Sequence, residues 1–182
     1  MTKQMKFDAA AQQEFKHGVD QIARAVSLTM GPTGRNVVVQ KSFGGPAVTK
    51  DGVSVAKEVE LAQPFQNMGV KMINEVAKKT SDIAGDGTTG ATVLAQAIFT
   101  EGLRQVTAGA SPMALQRGIN AAAKVAGDSI EAASVSCKGL ADLKKVATVS
   151  ANHDAEIGSL IAEAIHKVGG DGVVEVEEGK TA

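Results

Sequence analysis

The sequence contains no tryptophan and no tyrosine, and only five of its 182 residues are phenylalanine. Its core must therefore be aliphatic, built from Val, Ile, Leu, Met and Ala, and it has no aromatic platform on which nucleic-acid bases would stack. A single cysteine, Cys137, cannot close an intrachain disulfide, so a disulfide scaffold is excluded and a reducing compartment fits. Charge of one sign is also missing. Nineteen Lys and Arg against 20 Asp and Glu give a net charge of -1, so no basic excess draws the chain to nucleic acid or to acidic membranes. No apolar run approaches the ~18 residues of a bilayer span. The N-terminus, Met1-Thr2-Lys3-Gln4-Met5-Lys6, has no apolar signal region and is not an Arg- and Ser-rich transit peptide, so a cytoplasmic location is expected.

What remains is a chain dominated by helical periodicity. A length of 182 residues allows one domain of about 150 residues and part of another. Phe15, Val19, Ile22 and Val26 repeat at helical spacing from Asp8, a candidate N-cap, to about Leu28. Val37-Val38-Val39 and Ala47-Val48-Thr49 read as short strands around a turn. A short helix carrying Val55 and Val59 is predicted after Asp51-Gly52, and a longer one from about Gln66 to Ala84. In the longer helix Met68, Met72 and Val76 form one stripe, expected to be core, beside Ile73 and Ala77. A helix from Thr88 carries Ala91, Leu94 and Ile98, with Val93 and Ala97 alongside; its wide apolar arc predicts deep burial. Ser111-Pro112 opens another, with Leu115, Ile119, Ala122, Ala126, Ile130 and Ala133 on one face. Shorter helices follow. Leu140, Leu143 and Val146 mark one, and Ile157, Leu160, Ile161, Ala164 and Val168 face inward on a second, capped by Asp154. Val173 to Glu177 reads as a strand without a visible partner. Broad apolar arcs and few strands point to part of a larger packed body, an N-terminal fragment or a fold completed by other segments.

Three glycine turns carry the chemistry. Gly85-Asp86-Gly87-Thr88-Thr89-Gly90 matches the letters of a dinucleotide-binding fingerprint, but a helix precedes it and 106–114 hold no acidic residue, so that reading is rejected. Gly179-Lys180-Thr181 resembles the end of a phosphate-binding Walker loop but has Val174 where the motif needs glycine. A glycine turn between two helices instead presents the free amides of the second helix to an anion. Thr88 and Thr89 add hydroxyls, and Asp86 beside a polyphosphate requires a divalent cation between them, Mg²⁺. The same residues would also serve as a plain helix cap. Thr29-Met30-Gly31-Pro32 and Thr49-Lys50-Asp51-Gly52 are likewise open to two uses. Each is a helix stop or cap, or a phosphate contact in which Lys50 neutralises charge and Asp51 orients an attacking water. His17, His153 and His166 lack metal-ligand spacing, Cys137 has no histidine at motif spacing, and Glu175, Glu177 and Glu178 read as a solvated face.

Taken together, Thr29-Met30-Gly31-Pro32, Gly34-Arg35-Asn36-Val37-Val38, Thr49-Lys50-Asp51-Gly52-Val53-Ser54-Val55-Ala56 and Ala84-Gly85-Asp86-Gly87-Thr88-Thr89 strongly resemble group I chaperonins, the GroEL type. So do Leu94-Ala95-Gln96-Ala97-Ile98, Thr100-Glu101-Gly102 and Arg117-Gly118-Ile119, in order, from Lys6 to Gly179. The resemblance implies a mainly α fold. Residues 1–134 would form the first segment of a helical equatorial, ATP-binding domain with a small β-hairpin, and 135–182 the first segment of a small α+β intermediate domain. It implies an ATPase of the protein-folding isomerase class, with ATP contacted by Thr29, Met30, Gly31, Pro32, Lys50, Asp86, Gly87, Thr88, Thr89 and Gly90. Asp86 would be the Mg²⁺ ligand, Asp51 a catalytic carboxylate near the γ-phosphate, and the carbonyls of Thr29 and Lys50 a monovalent-cation (K⁺) site. The implied partners are a homo-oligomeric ring, joined in part through the hairpin at 36–50, a small cochaperonin, and non-native polypeptides. Two departures stand out. The family's turn continues with a third threonine where this chain has Gly90, and the apical domain and returning segments with a further catalytic aspartate are absent from these 182 residues. The expectation is that the chain alone cannot complete the ATPase cycle. The competing readings are a nucleotide-independent helical structural or interaction module, or a divergent paralogue marked by Gly90, and, third, a dinucleotide oxidoreductase.

Overall fold

The computed structural model describes residues 4–31, 33–41, 44–169 and 172–175. Among these it contains seven helices and one two-stranded sheet: α1 Asp8–Ser27, β1 Val37–Val39, β2 Ala47–Thr49, α2 Gly52–Glu58, α3 Pro64–Ala84, α4 Thr88–Thr107, α5 Pro112–Ala133, α6 Gly139–Ser150 and α7 Ala155–Val168. The strands pair antiparallel with Val37 opposite Thr49, Val38 opposite Val48 and Val39 opposite Ala47. The chain divides into two compact units, Met1–Gly118 and Ile119–Ala182, with the division inside α5.

Local chemistry sets the helix ends. Asp51 caps α2, and Asp154 caps α7 by accepting from the amides of Glu156 and Ile157 at 3.0 Å. α3 starts two residues before the predicted Gln66, because the Gln63 side chain accepts from the Gln66 amide at 2.8 Å and Pro64 fits the first turn. Asp8 is not the N-cap of α1. Phe7 occupies that position without a side-chain cap, and Asp8 is the first helical residue, where its charge still meets the positive helix end.

The core of the first unit is aliphatic, as the composition requires. Val19, Ile22 and Val26 of α1, Val55 and Ala56 of α2, and Val70, Ile73 and Ala77 of α3 form one buried cluster, edged by Phe15, Val37, Val59, Leu61, Ala95 and Phe99. The Phe15 and Phe99 rings meet at a centroid distance of 5.3 Å. Glycine brings α1 against α3. A Cβ on Gly18 would fall 1.8 Å from the Gln66 carbonyl oxygen, and one on Gly69 2.3 Å from the Phe15 carbonyl oxygen. Backbone thus rests on backbone at the crossing.

That crossing corrects two expectations. The face of α3 that carries Gly69, Val70, Ile73 and Ala77 is buried, so Met68 and Met72 are turned away and are 54% and 58% exposed. On α4 the buried residues are Thr88 and Thr92, with Ala95 and Phe99 on the core's edge, while Leu94 and Ile98 are 62% and 47% exposed. Both faces of α4 are apolar, so periodicity could not choose between them. Thr92 can be buried because its hydroxyl donates to the Thr88 carbonyl at 2.9 Å. α5 carries no buried residue, although Leu115 is half-covered.

In the second unit α6 lies against α7 at Gly158, where a Cβ would fall 2.5 Å from both Cα and Oγ1 of Thr148. Gly158 and Ala162 are the buried residues of α7, whereas Ile157, Leu160 and Val168, expected to face inward, are exposed. Small residues win that face because they allow the close approach. Lys144 and Glu163 bridge the pair at 2.8 Å. Residues 172–175 are not in a strand, contrary to expectation, and 176–177 lie outside the described residues.

Candidate functional site

Three chain segments meet at one corner of the first unit, and each is placed by a core helix. α1 delivers Thr29, α2 begins at Asp51-Gly52, and α4 begins at Gly87-Thr88-Thr89. The contact that joins them is at Gly52. A Cβ there would lie 2.1 Å from Thr89 Oγ1 and 3.3 Å from Thr29 Oγ1, so two hydroxyls from distant turns crowd the same α-carbon.

The first turn is tightly made. Thr29, only 8% exposed, donates its hydroxyl to the Val26 carbonyl at 2.8 Å. The Arg35 amide returns to the Leu28 carbonyl at 2.7 Å, closing the loop over exposed Met30 and over Gly31, whose φ is 75°. Pro32 lies outside the described residues.

The second turn follows β2. Lys50 is half-buried and forms no ion pair among the described residues. Asp51 accepts from the Val53 amide at 3.2 Å, the Ser54 amide at 2.9 Å and the Ser54 hydroxyl at 2.7 Å. Burial pushes its carboxyl up, but the Ser54 hydroxyl, the two amides and the charge of Lys57 outweigh that and hold it below the usual carboxylate range. Asp51 is therefore a helix cap that stays ionised at neutral pH.

The third turn separates α3 from α4. Gly85, with φ 72°, closes α3 in the left-handed region, and Gly87, with φ 83°, opens α4 from the same region. These two positions need glycine for backbone reasons. α4 has no side-chain cap, and its first backbone bond runs from the Ala91 amide to the Gly87 carbonyl at 2.9 Å. The amides of Thr88, Thr89 and Gly90 precede it and point out of the helix end, where the dipole is positive. Exposed Asp86 does not cap α4; among the described residues its Oδ1 accepts only from the adjacent Gly87 amide, at 2.6 Å. A Cβ on Gly90 would meet nothing within 4 Å, so the missing third hydroxyl leaves open space.

Among the described residues no group of three His, Cys, Asp or Glu side chains is placed to hold a metal ion. One exposed carboxylate beside unclaimed amides suits Mg²⁺ that takes most of its ligands from phosphate and water, and it does not suit an all-protein metal cage. His17, His153, His166 and Cys137 are exposed. The residue that sequence reasoning passed over is Gly52. Its signal was present in the Thr49-Lys50-Asp51-Gly52 run, but its crowding depends on Thr29 and Thr89.

Among the described residues no helix is long and apolar enough to cross a membrane. Residues 22–181 match the TCP-1/cpn60 chaperonin family. Among solved structures, the crystal structure of a group III chaperonin in the open state is 25% identical with a TM-score of 0.72, over 86% of this chain and 31% of that one. The chaperonin gp146 from the bacteriophage EL 2 (Pseudomonas aeruginosa), in the presence of ATP-BeFx, is 27% identical with a TM-score of 0.72, over 89% of this chain and 28% of that one. The chain thus spans less than a third of the length of these two chaperonins.

Proposed function

The chain belongs to the TCP-1/cpn60 chaperonin family, and from that premise we propose that it is the nucleotide-binding portion of an ATP-dependent chaperonin subunit of the group I type. The observation that carries this reading is the meeting of the three turns at Gly52, beside a helix end whose first amides are unclaimed. The gp146 structure, in the presence of ATP-BeFx, supports it.

Phosphate oxygens would take the amides of Thr88, Thr89 and Gly90 and the Thr89 hydroxyl. Gly31, Met30, Pro32 and Thr29 would close over the nucleotide from the end of α1, and Lys50 would add positive charge. Bound Mg²⁺ would neutralise charge that develops on the phosphates, held on the protein side by Asp86. Asp51, ionised and braced by three hydrogen bonds, would orient water near the γ-phosphate. K⁺ at the Thr29 and Lys50 carbonyls belongs to the same proposal. So do the assignment of 1–134 and 135–182 to equatorial and intermediate segments, the cytoplasmic location, the ring, the cochaperonin and the non-native polypeptide clients. The exposed apolar residues of α4 and α5 suit packing against further protein in such an assembly. Turnover would need groups beyond these residues.

The test is an NMR titration of the 182-residue chain with ATP, with and without Mg²⁺. Saturable shifts centred on Gly31, Gly52 and 87–90, strengthened by Mg²⁺ and losing that Mg²⁺ dependence in Asp86→Ala, are expected. Shifts scattered elsewhere, or none, would refute the reading and favour the nucleotide-independent module. ATP hydrolysis by this chain alone, abolished by Asp86→Ala, would refute the need for further groups.

A further inference from the structure

Gly52 is glycine for a reason its backbone does not supply. It is the first residue of α2, it is buried, and it is not among the glycines of positive φ. Helix propensity favours alanine at such a position. The obstacle is space, since the missing Cβ would fall 2.1 Å from Thr89 Oγ1, 3.4 Å from Thr89 Cβ and 3.3 Å from Thr29 Oγ1.

The two hydroxyls are not equally able to yield. Thr29 Oγ1 is buried and tied to the Val26 carbonyl. Thr80, Thr92 and Thr107, deeper in their helices, donate to the carbonyl four residues back. Thr89, second in α4, has no helical carbonyl behind it, and its hydroxyl is directed instead at Gly52. A side chain at 52 would therefore turn the Thr89 hydroxyl into another χ1 well, because threonine in a helix divides between two. We propose that Gly52 is a positioning residue of the nucleotide corner: the absence of a side chain there holds the Thr89 hydroxyl between the α1 and α2 turns, where it joins the amides of α4 on a phosphate group. This rests on the nucleotide reading above. Because Gly90 brings no hydroxyl and Thr88 is buried, Thr89 is the α4 hydroxyl whose direction matters most.

The experiment is a double-mutant cycle on the 182-residue chain with Gly52→Ala, Thr89→Ala and the pair. It has two readouts: Thr89 χ1 from three-bond couplings without nucleotide, and the Mg-ATP Kd from the NMR titration. Gly52→Ala is expected to change the Thr89 χ1 population and to weaken Mg-ATP about tenfold, a typical coupling between contacting residues. In the Thr89→Ala background the same change should cost less than about twofold, because the offending oxygen is gone. An unchanged Thr89 χ1 in Gly52→Ala, or an equal loss in both backgrounds, overturns the proposal while leaving nucleotide binding intact. Failure of the unsubstituted chain to bind Mg-ATP overturns the nucleotide reading and the phosphate role of Thr89 with it. Should Gly52→Ala not fold, the double variant must fold if the 2.1 Å contact is the cause; if it does not, the proposal is wrong.

Discussion

Replacing glycine by alanine at two helical positions should move stability in opposite directions. At Gly18 the added Cβ would lie 1.8 Å from the Gln66 carbonyl oxygen, 2.7 Å from its carbonyl carbon and 3.2 Å from its Cα. All three atoms are backbone, so no rotamer change relieves the overlap, and α1 and α3 must move apart. That parting loosens the layer of Val19, Ile22, Val70 and Ile73. Overpacking of this kind costs about 1–3 kcal/mol and occasionally more. Alanine's better helix propensity returns about 1 kcal/mol. The net expectation for Gly18→Ala is a loss of up to about 2 kcal/mol, at the upper end because only rigid backbone lines the overlap. At Gly90 nothing lies within 4 Å of the added atom. Gly90→Ala should therefore gain up to about 1 kcal/mol, less for its place in the first turn. Both changes restrict the unfolded chain equally, so the difference between them arises in the folded state, from the contact at Gly18 and the smaller helix-propensity gain in the first turn at Gly90. Urea unfolding followed by circular dichroism at constant m-value reads that difference directly. It also appears as a melting shift of about 2–4 °C per kcal/mol for a chain of this size. If both variants gain or lose alike, the α1–α3 approach is wrong, and with it the placement of Thr29 and Asp86, which those helices deliver.

Three further outcomes follow from the same geometry. Asp51→Ala removes three hydrogen bonds at the start of α2 and should cost about 1 kcal/mol. Because the folded carboxyl titrates below its ordinary value of 3.8, its contribution is complete above that pH and fades as pH falls through the folded value. An acid titration of the unsubstituted chain should show this loss, and one of Asp51→Ala should not. Ile22→Ala, at a fully buried position, should cost about 2–5 kcal/mol in the same urea assay. Gly158→Ala should part α6 from α7 and destabilise the second unit by about 1–3 kcal/mol, read by amide exchange at Ala147 and Ala162.

Much of the fold was legible along the chain. Val19, Ile22 and Val26 at helical spacing lie in the core of α1, and the valine strands pair around their turn. Asp154 caps α7 as its position implied. Of the candidate site, the three turns could be named from glycine, threonine and aspartate, because turn chemistry is local.

Choices between faces were not local. α4 offers Leu94 and Ile98 on one side and Ala95 and Phe99 on another, and both pairs are apolar. The outcome was set by where α1 and α3 stand, which the Gly18 and Gly69 approach decides. Met68 and Met72 lost their expected burial for the same reason. Gly52 shows the division most sharply. A chain read in order finds a small residue after an aspartate, an ordinary helix start. Only folding brings Thr29, 23 positions before it, and Thr89, 37 after it, onto its α-carbon. Periodicity and turn composition act over a few residues and are written in order. Steric exclusion acts between whichever atoms the packed helices bring together.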